Sequence, residues 1–274
     1  KLLNFENNNN EIFSVIKNYQ LYDYLKKNLI KNKFFNEIKP KKNFLFSKDY
    51  NLVINTEYSN FLSRKYFNKK IIKKYNSFAY TTIIQHKKII NNIAIQIFTK
   101  KGPIAFLPLS NTQTSIVYSI NDQFKKNKEN IIDLIDKYNF KYNILKVNEI
   151  ESFELKSFNL RSYYHKNILA FGDLLHKIHP LAGQGFNMSL RDINEVLKLI
   201  NLKKKNGLEL DNSICKDFED RMKHKNFIFS NCVDFIYEYF NFENKIKNNI
   251  LSKTVKYLGK NYTINKYFTK IADS

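Results

Sequence analysis

The chain has 274 residues, 43% of them hydrophobic, and a formal net charge of +21. It is long and apolar enough to bury a core, which sets aside a disordered chain, and no run approaches the ~18 apolar residues of a membrane helix. Arginine stands only at 64, 161, 191 and 221, so the positive charge is lysine. Base readers and phosphate clamps rely on the guanidinium fork, so the lysine excess fits an A/T-rich coding sequence with weak attraction to anionic lipid better than nucleic-acid binding.

Residues Glu11 to Leu29 have helical apolar spacing. Asn43–Phe46 and Tyr50–Ile54 read as short strands, and Asn60–Tyr75 as a basic helix. From Phe78 to Ile120 the pattern turns to strands: Ala79–His86 is β-branched and aromatic, Ile93–Phe98 and Thr114–Ile120 alternate, and Lys101-Gly102-Pro103 is a turn. Asn121–Tyr138 reads as a helix capped by Asn121 or Asp122, and Glu151–Tyr164 as strand. Asn167–Phe171 is a buried strand that leads through a Pro/Gly loop into a helix with apolar residues at 190, 193, 196, 197 and 200. The rest is mostly helical. Four regions follow: 1–76, 77–164, 165–205 and 206–274. The opening Lys1-Leu2-Leu3-Asn4 does not read as a signal peptide. Cys215 and Cys232 make no disulfide framework and read as a reduced pair, which suits the cytoplasm.

The loop into that last helix is the most informative segment. A strand ending in Gly172-Asp173 and a helix entered through Gly183-Gln184-Gly185 form an anion cradle. The first amides of a helix lack intrahelical partners, and its dipole is positive there. His176 and His179 have no third ligand at a telling spacing, so no metal site is expected; they are expected to hold the loop by hydrogen bonds. Arg191 and Asp192 are expected to form pairs that fix the helix. Phe78, Tyr80, Phe98, Phe106 and Tyr118 are either core or the lining of a substrate pocket.

Gly172-Asp173 with His176, then His179-Pro180-Leu181-Ala182-Gly183-Gln184-Gly185-Phe186-Asn187 and Asp192, carry a many-position pattern. On these residues the chain resembles the flavin-dependent aromatic hydroxylases of the ubiquinone-biosynthesis type, within the para-hydroxybenzoate hydroxylase-like class. Leu174, Leu175 and Ser189 depart from that pattern. Gly102 to Leu109 resembles a second family segment. Val53 to Asn60 stands where a second flavin motif lies; there Asn60 is kept, Glu57 replaces the acid and Tyr58 a glycine.

The resemblance implies an α+β / α/β FAD-binding fold, incomplete at the N-terminus, with an inserted antiparallel substrate-domain sheet and a helical C-terminal tail. It implies a chain without the Gly-x-Gly-x-x-Gly region, whether a C-terminal part, a split or decayed gene, or half of a complex. It implies FAD held by Gly172, Asp173, Pro180, Ala182, Gly183, Gln184, Gly185, Phe186 and Asn187, with Asp173 on the ribityl chain and the 183–187 amides on the flavin pyrimidine edge. NAD(P)H would be the reductant and molecular oxygen the co-substrate. The substrate would be an aromatic ring with a lipid tail, a polyprenyl phenol. The protein would be cytoplasmic, peripheral on the inner face of a membrane, and in contact with other ubiquinone-biosynthesis proteins. No residue stands out as a general base. Two other readings stay open: a degenerate, non-catalytic scaffold, and a lysine-driven binder of nucleic acid or anionic surfaces.

Overall fold

The computed structural model describes residues 13–38, 50–124, 128–180 and 183–246. In chain order these form α1 (Asn18–Leu29), β1 (Val53–Asn55), α2 (Phe61–Tyr66), β2 (Lys70–His86), β3 (Ile95–Thr99), β4 (Gly102–Ser110), β5 (Gln113–Asn121), α3 (Lys128–Tyr138), β6 (Ile144–Val147), β7 (Glu151–Leu160), β8 (Tyr164–His165), β9 (Ile168–Ala170), β10 (His176–Lys177), α4 (Gln184–Lys205) and α5 (Ser213–Ile246). This is a mixed α/β architecture, a small sheet with one parallel pair and a larger antiparallel one, with helices packed on them. The strand expected at Asn43–Phe46 and the tail beyond Ile246 lie outside the described residues.

The first sheet runs β1-β9-β8, with β1 and β9 parallel. Parallel strands are normally covered on both faces. Here α4 and α5 cover one face, and Leu169, Val196, Leu199 and Phe218 meet in its core. The second edge of β1 is unpaired among the described residues, and Ile54 on it is exposed. Phe186, Leu190, Ile193 and Leu197 form an exposed apolar stripe along α4, on the flank away from its buried residues Met188, Val196 and Leu199.

The larger sheet runs β10-β7-β2-β5-β4-β3, with β6 also on β2. Its pleat sorts the side chains into two faces. Thr114, Ile116, Tyr118 and Ile120 of β5 are buried, and the last three pack with Ile131 and Ile135, one turn apart on α3. The alternate residues, Val117 and Ser119, look the other way, toward Pro180. Gly102 opens β4 at φ +134, where a Cβ would stand 2.1 Å from the Ser119 carbonyl oxygen. Only glycine fits that approach.

Two expectations are corrected. Asn60–Tyr75 is not one helix: α2 ends at Tyr66, and Lys70 begins a strand held by pairing with β7 from Lys70↔Leu160 to Lys74↔Lys156. Its lysines and isoleucines suit either structure locally, and the cross-strand partner decides. The helix expected from Asn121 starts at Lys128, after a 3-10 turn at Asp122–Phe124. Of the two readings left open for the aromatics, core holds: Tyr80, Phe106 and Tyr118 are buried on the α3 face, where Phe78 joins them, while Phe98 packs beside Ile178, Met188 and Val233. Cys215 is buried and Cys232 exposed, and both are free.

Candidate flavin site

The site lies at the carboxyl ends of the two parallel strands, where open α/β sheets place their ligands. The Phe171 N–H donates to the Asn55 carbonyl at 2.9 Å and draws the two strand ends together. After β9 the chain enters a 3-10 turn, Gly172–Leu174, that packs against α4. Gly172 has φ +59, a region open to glycine at little cost, and Asp173 beside it is exposed. Leu174 and Leu175, in place of the family's small residues, are fully buried in the first core.

Gly183 caps α4 at φ +67 with no side-chain cap. A Cβ built on Gly172 or Gly183 meets nothing within 4 Å, so open space lies beside both backbones. The first turn of α4 has no acidic residue, and its amides and helix dipole favour negative charge there. Gln184 and Gly185 are half-buried, Phe186 and Asn187 are exposed, and Asn187 donates to the Gln184 Oε1 at 3.2 Å. Pro180 faces Gln96, Pro103, Ala105, Val117 and Ser119 of the larger sheet. Ala182 lies outside the described residues. An exposed carboxylate, two left-handed glycines with space beside them, and a first helical turn without acids fit the hydroxyl-rich and electron-rich parts of a flavin nucleotide.

Both ends of the 177–183 loop are tied by a buried polar network. His176 on β10 meets the Asp192 Oδ2 of α4 at 2.6 Å, and Asn226 Nδ2 of α5 donates to Asp192 Oδ1 at 3.0 Å. All three are at most 2% exposed. His176 therefore holds the loop as expected. Asp192 thus forms pairs that fix α4, as expected, while the Arg191 guanidinium lies 4.1 Å from the Phe229 ring centre on α5.

His179 makes no hydrogen bond with either ring nitrogen, contrary to expectation, although it is fully buried. It is held by faces and edges of rings: Tyr237 at 4.3 Å and Tyr75 at 4.8 Å between centres. Burial, with Lys73 nearby, pushes its pKa down to about 4, so the imidazole is neutral near pH 7. Tyr75 donates to Asp234, which also pairs with Lys73, and Tyr237 bonds Ser77. The cage thus ties α5 to β2 around the residue that precedes Pro180.

The 55–60 segment closes on itself. Asn60 Nδ2 donates to Asn55 Oδ1, Asn55 Nδ2 to Ser63 Oγ, and the Asn60 side chain caps α2 through the Ser63 N–H. The Glu57 carboxylate accepts from the Ser59 hydroxyl and N–H, which lowers its pKa. Tyr58 lies under the Lys70 ammonium, 3.7 Å from the ring centre. Among the described residues no cluster of His, Cys, Asp and Glu is arranged to hold a metal ion.

Residues 69–207, just over half of the chain, match the family described as FAD binding domain. The chain is 26% identical over 176 residues to the rat mitochondrial protein named ubiquinone biosynthesis monooxygenase COQ6, covering 49% of this chain and 37% of that protein. It is 26% identical over 149 residues to the Escherichia coli 3-demethoxyubiquinol 3-hydroxylase, covering 52% and 38%. It therefore spans less than two-fifths of the length of these relatives. Among solved structures, p-nitrophenol 4-monooxygenase PnpA from Pseudomonas putida superposes with a TM-score of 0.64 at 11% identity, over 81% of this chain and 58% of that one. The probable FAD-dependent monooxygenase pqsL from Pseudomonas aeruginosa does so with 0.55 at 12% identity, over 75% and 58%. These likenesses describe the fold, that of the para-hydroxybenzoate hydroxylase-like flavoproteins. By the extent of the family match, the chain belongs to the FAD-binding domain family.

Proposed function

We propose that the chain is part of an FAD-dependent monooxygenase that hydroxylates an aromatic ring, and that its substrate is a polyprenyl phenol of ubiquinone biosynthesis. The observation that carries the reading is that the Gly172-Asp173 turn packs against α4, and that this turn and the entry to α4 at Gly183 each leave open space beside a left-handed glycine, inside the family-matched region. The substrate class draws on the names of the rat and Escherichia coli relatives. Asp173 would accept hydrogen bonds from the ribityl hydroxyls, and Gly183, Gln184, Gly185, Phe186 and Asn187 would offer backbone donors to the ring system. Pro180 and Ala182 would border it, and Gly172 lets the chain approach closely. Bound FAD would supply the redox chemistry, with NAD(P)H as reductant and molecular oxygen as co-substrate. The chain's own residues position the ligand and exclude water. A lipid-tailed substrate would suit work at a membrane surface beside other proteins of the same pathway.

The test is flavin absorbance and fluorescence of the purified chain on titration with FAD. Asp173→Ala is expected to weaken FAD binding roughly 10- to 100-fold, the range for a hydrogen bond to a charged group. Unchanged affinity in that variant would remove Asp173 from the site. A second reading, a non-catalytic homologue acting as a scaffold, is favoured by the self-contained Glu57–Ser59 turn and by Tyr58 in the glycine position. It is supported if the chain with any partner it requires binds FAD but oxidises no NAD(P)H when an aromatic substrate is present.

A further inference from the structure

We propose that the face of β2, β7 and β10 turned away from α5 is a recognition site for the phosphate groups of a nucleotide ligand. The pleat brings Lys70, Ile72 and Lys74 of β2 to one face with Lys156 and Phe158 of β7. Lys177 of β10 stands opposite Phe158 and joins them, because directly paired residues share a face. The alternate residues confirm the sorting. Lys73 pairs with Asp234 of α5, Asn159 donates to Ser230 of α5, and His176 meets Asp192 of α4.

The resulting face carries four lysines around Phe158. Among the described residues none of the four pairs with a carboxylate, and Glu154, two positions along β7 from Lys156, makes no ion pair with them. Lys74 and Lys156 stand directly opposite one another, an unfavourable like-charge pairing that a bound anion would relieve. Lys70 and Lys177 are half-buried residues, so their side chains are partly ordered against the sheet. Lys70 is also fixed in place, 3.7 Å from the centre of the Tyr58 ring and 4.7 Å from that of Phe158.

The face adjoins the candidate site. The Leu160 N–H, next to Lys70 in register, donates to the Leu175 carbonyl, just beyond the Gly172–Leu174 turn. A ligand gripped here by its phosphates would lie beside the flavin turn. Two nucleotides of the proposed reaction share that chemistry, the cofactor through its diphosphate and the reductant through its phosphates. The inference deepens the flavoenzyme reading and rests on it for the identity of the ligand, though not for the anion chemistry.

The test measures binding of pyrophosphate, NADPH, FAD and phosphate-free riboflavin to the full chain and to Lys70→Met, Lys177→Met and the double variant. Lys87→Met/Lys88→Met, an equal charge change on an exposed loop, is the control. Each single substitution is expected to weaken pyrophosphate binding about tenfold, the scale of one charge-assisted hydrogen bond. NADPH, FAD or both should weaken with it, and which of them does identifies the nucleotide. Riboflavin binding should be unchanged in every variant. The proposal is overturned if the double variant binds pyrophosphate and both nucleotides like the parent. Equal losses in the loop control, or binding to phosphatidylglycerol vesicles alone, would also overturn it. Lysine-dependent pyrophosphate binding in a chain that takes up neither FAD nor riboflavin would sink the flavoenzyme reading and leave this inference standing.

Discussion

Replacing Asp192 by alanine is expected to destabilise the chain by about 2–3 kcal/mol, the scale of losing buried hydrogen bonds to a carboxylate and leaving their partners unsatisfied. The carboxylate is fully buried, and each of its oxygens has one partner, His176 on β10 and Asn226 on α5. Its loss leaves two buried polar groups without a partner at the point where strand, loop and two helices meet. Asp192→Asn should cost less, because the amide keeps the volume and can still accept from one neighbour. The measurement is urea unfolding of the three proteins. A double variant, His176→Ala/Asp192→Ala, should lose clearly less than the sum of its single variants, since both singles break the same bond. Additive losses would mean that the two residues act separately. Flavin affinity should fall along with stability, because the network fixes both ends of the 177–183 loop.

The loop and α4 were legible in the sequence because their signals are local. Gly172, Pro180, Gly183 and Gly185 punctuate the chain, and the apolar spacing after Leu190 is helical. The inserted sheet was legible for the same reason, through the alternation in β5 and the Lys101-Gly102-Pro103 break between β3 and β4. The first half of β2 was not. Lys70-Ile71-Ile72-Lys73-Lys74 satisfies a basic helix equally well, and it becomes strand through pairing with β7, 82 to 90 residues away in the sequence. Asn226 was overlooked although a signal existed. From Phe218 onward the buried residues of α5 fall at 218, 222, 226, 230, 233 and 237, so an asparagine stands on the inward stripe, where it requires a partner. The surroundings of His179 could not be read at all. Tyr75 and Tyr237 come from distant segments, and nothing in the His-Pro dipeptide announces two unsatisfied nitrogens.

Acid is expected to weaken the fold through His179, and the sign follows from burial. Its native pKa lies near 4, below the ordinary 6.5. Between those values the unfolded chain binds the proton and the native chain does not, so stability falls as pH drops through 6.5 and levels off below 4. The full contribution is about 3 kcal/mol, of which about 2 kcal/mol is already lost at pH 5. The groups facing the ring explain why protonation is resisted. Tyr75 and Tyr237 enclose it, the Asp234 carboxylate is engaged by Tyr75 and Lys73, and Lys73 adds a like charge. A cation could gain some attraction from the aromatic faces, but that is a smaller effect than loss of water around a fully buried charge. His179→Phe keeps a ring in the cage and removes both the titration and the unpaired nitrogens. Between pH 7.5 and pH 5 this variant should lose about 2 kcal/mol less stability than the parent in matched urea titrations. Equal losses in the two proteins would show that the imidazole is not the group that titrates on unfolding. A smaller acid loss in the variant, together with unchanged stability at pH 7.5, would assign His179 a packing role that depends on its being neutral.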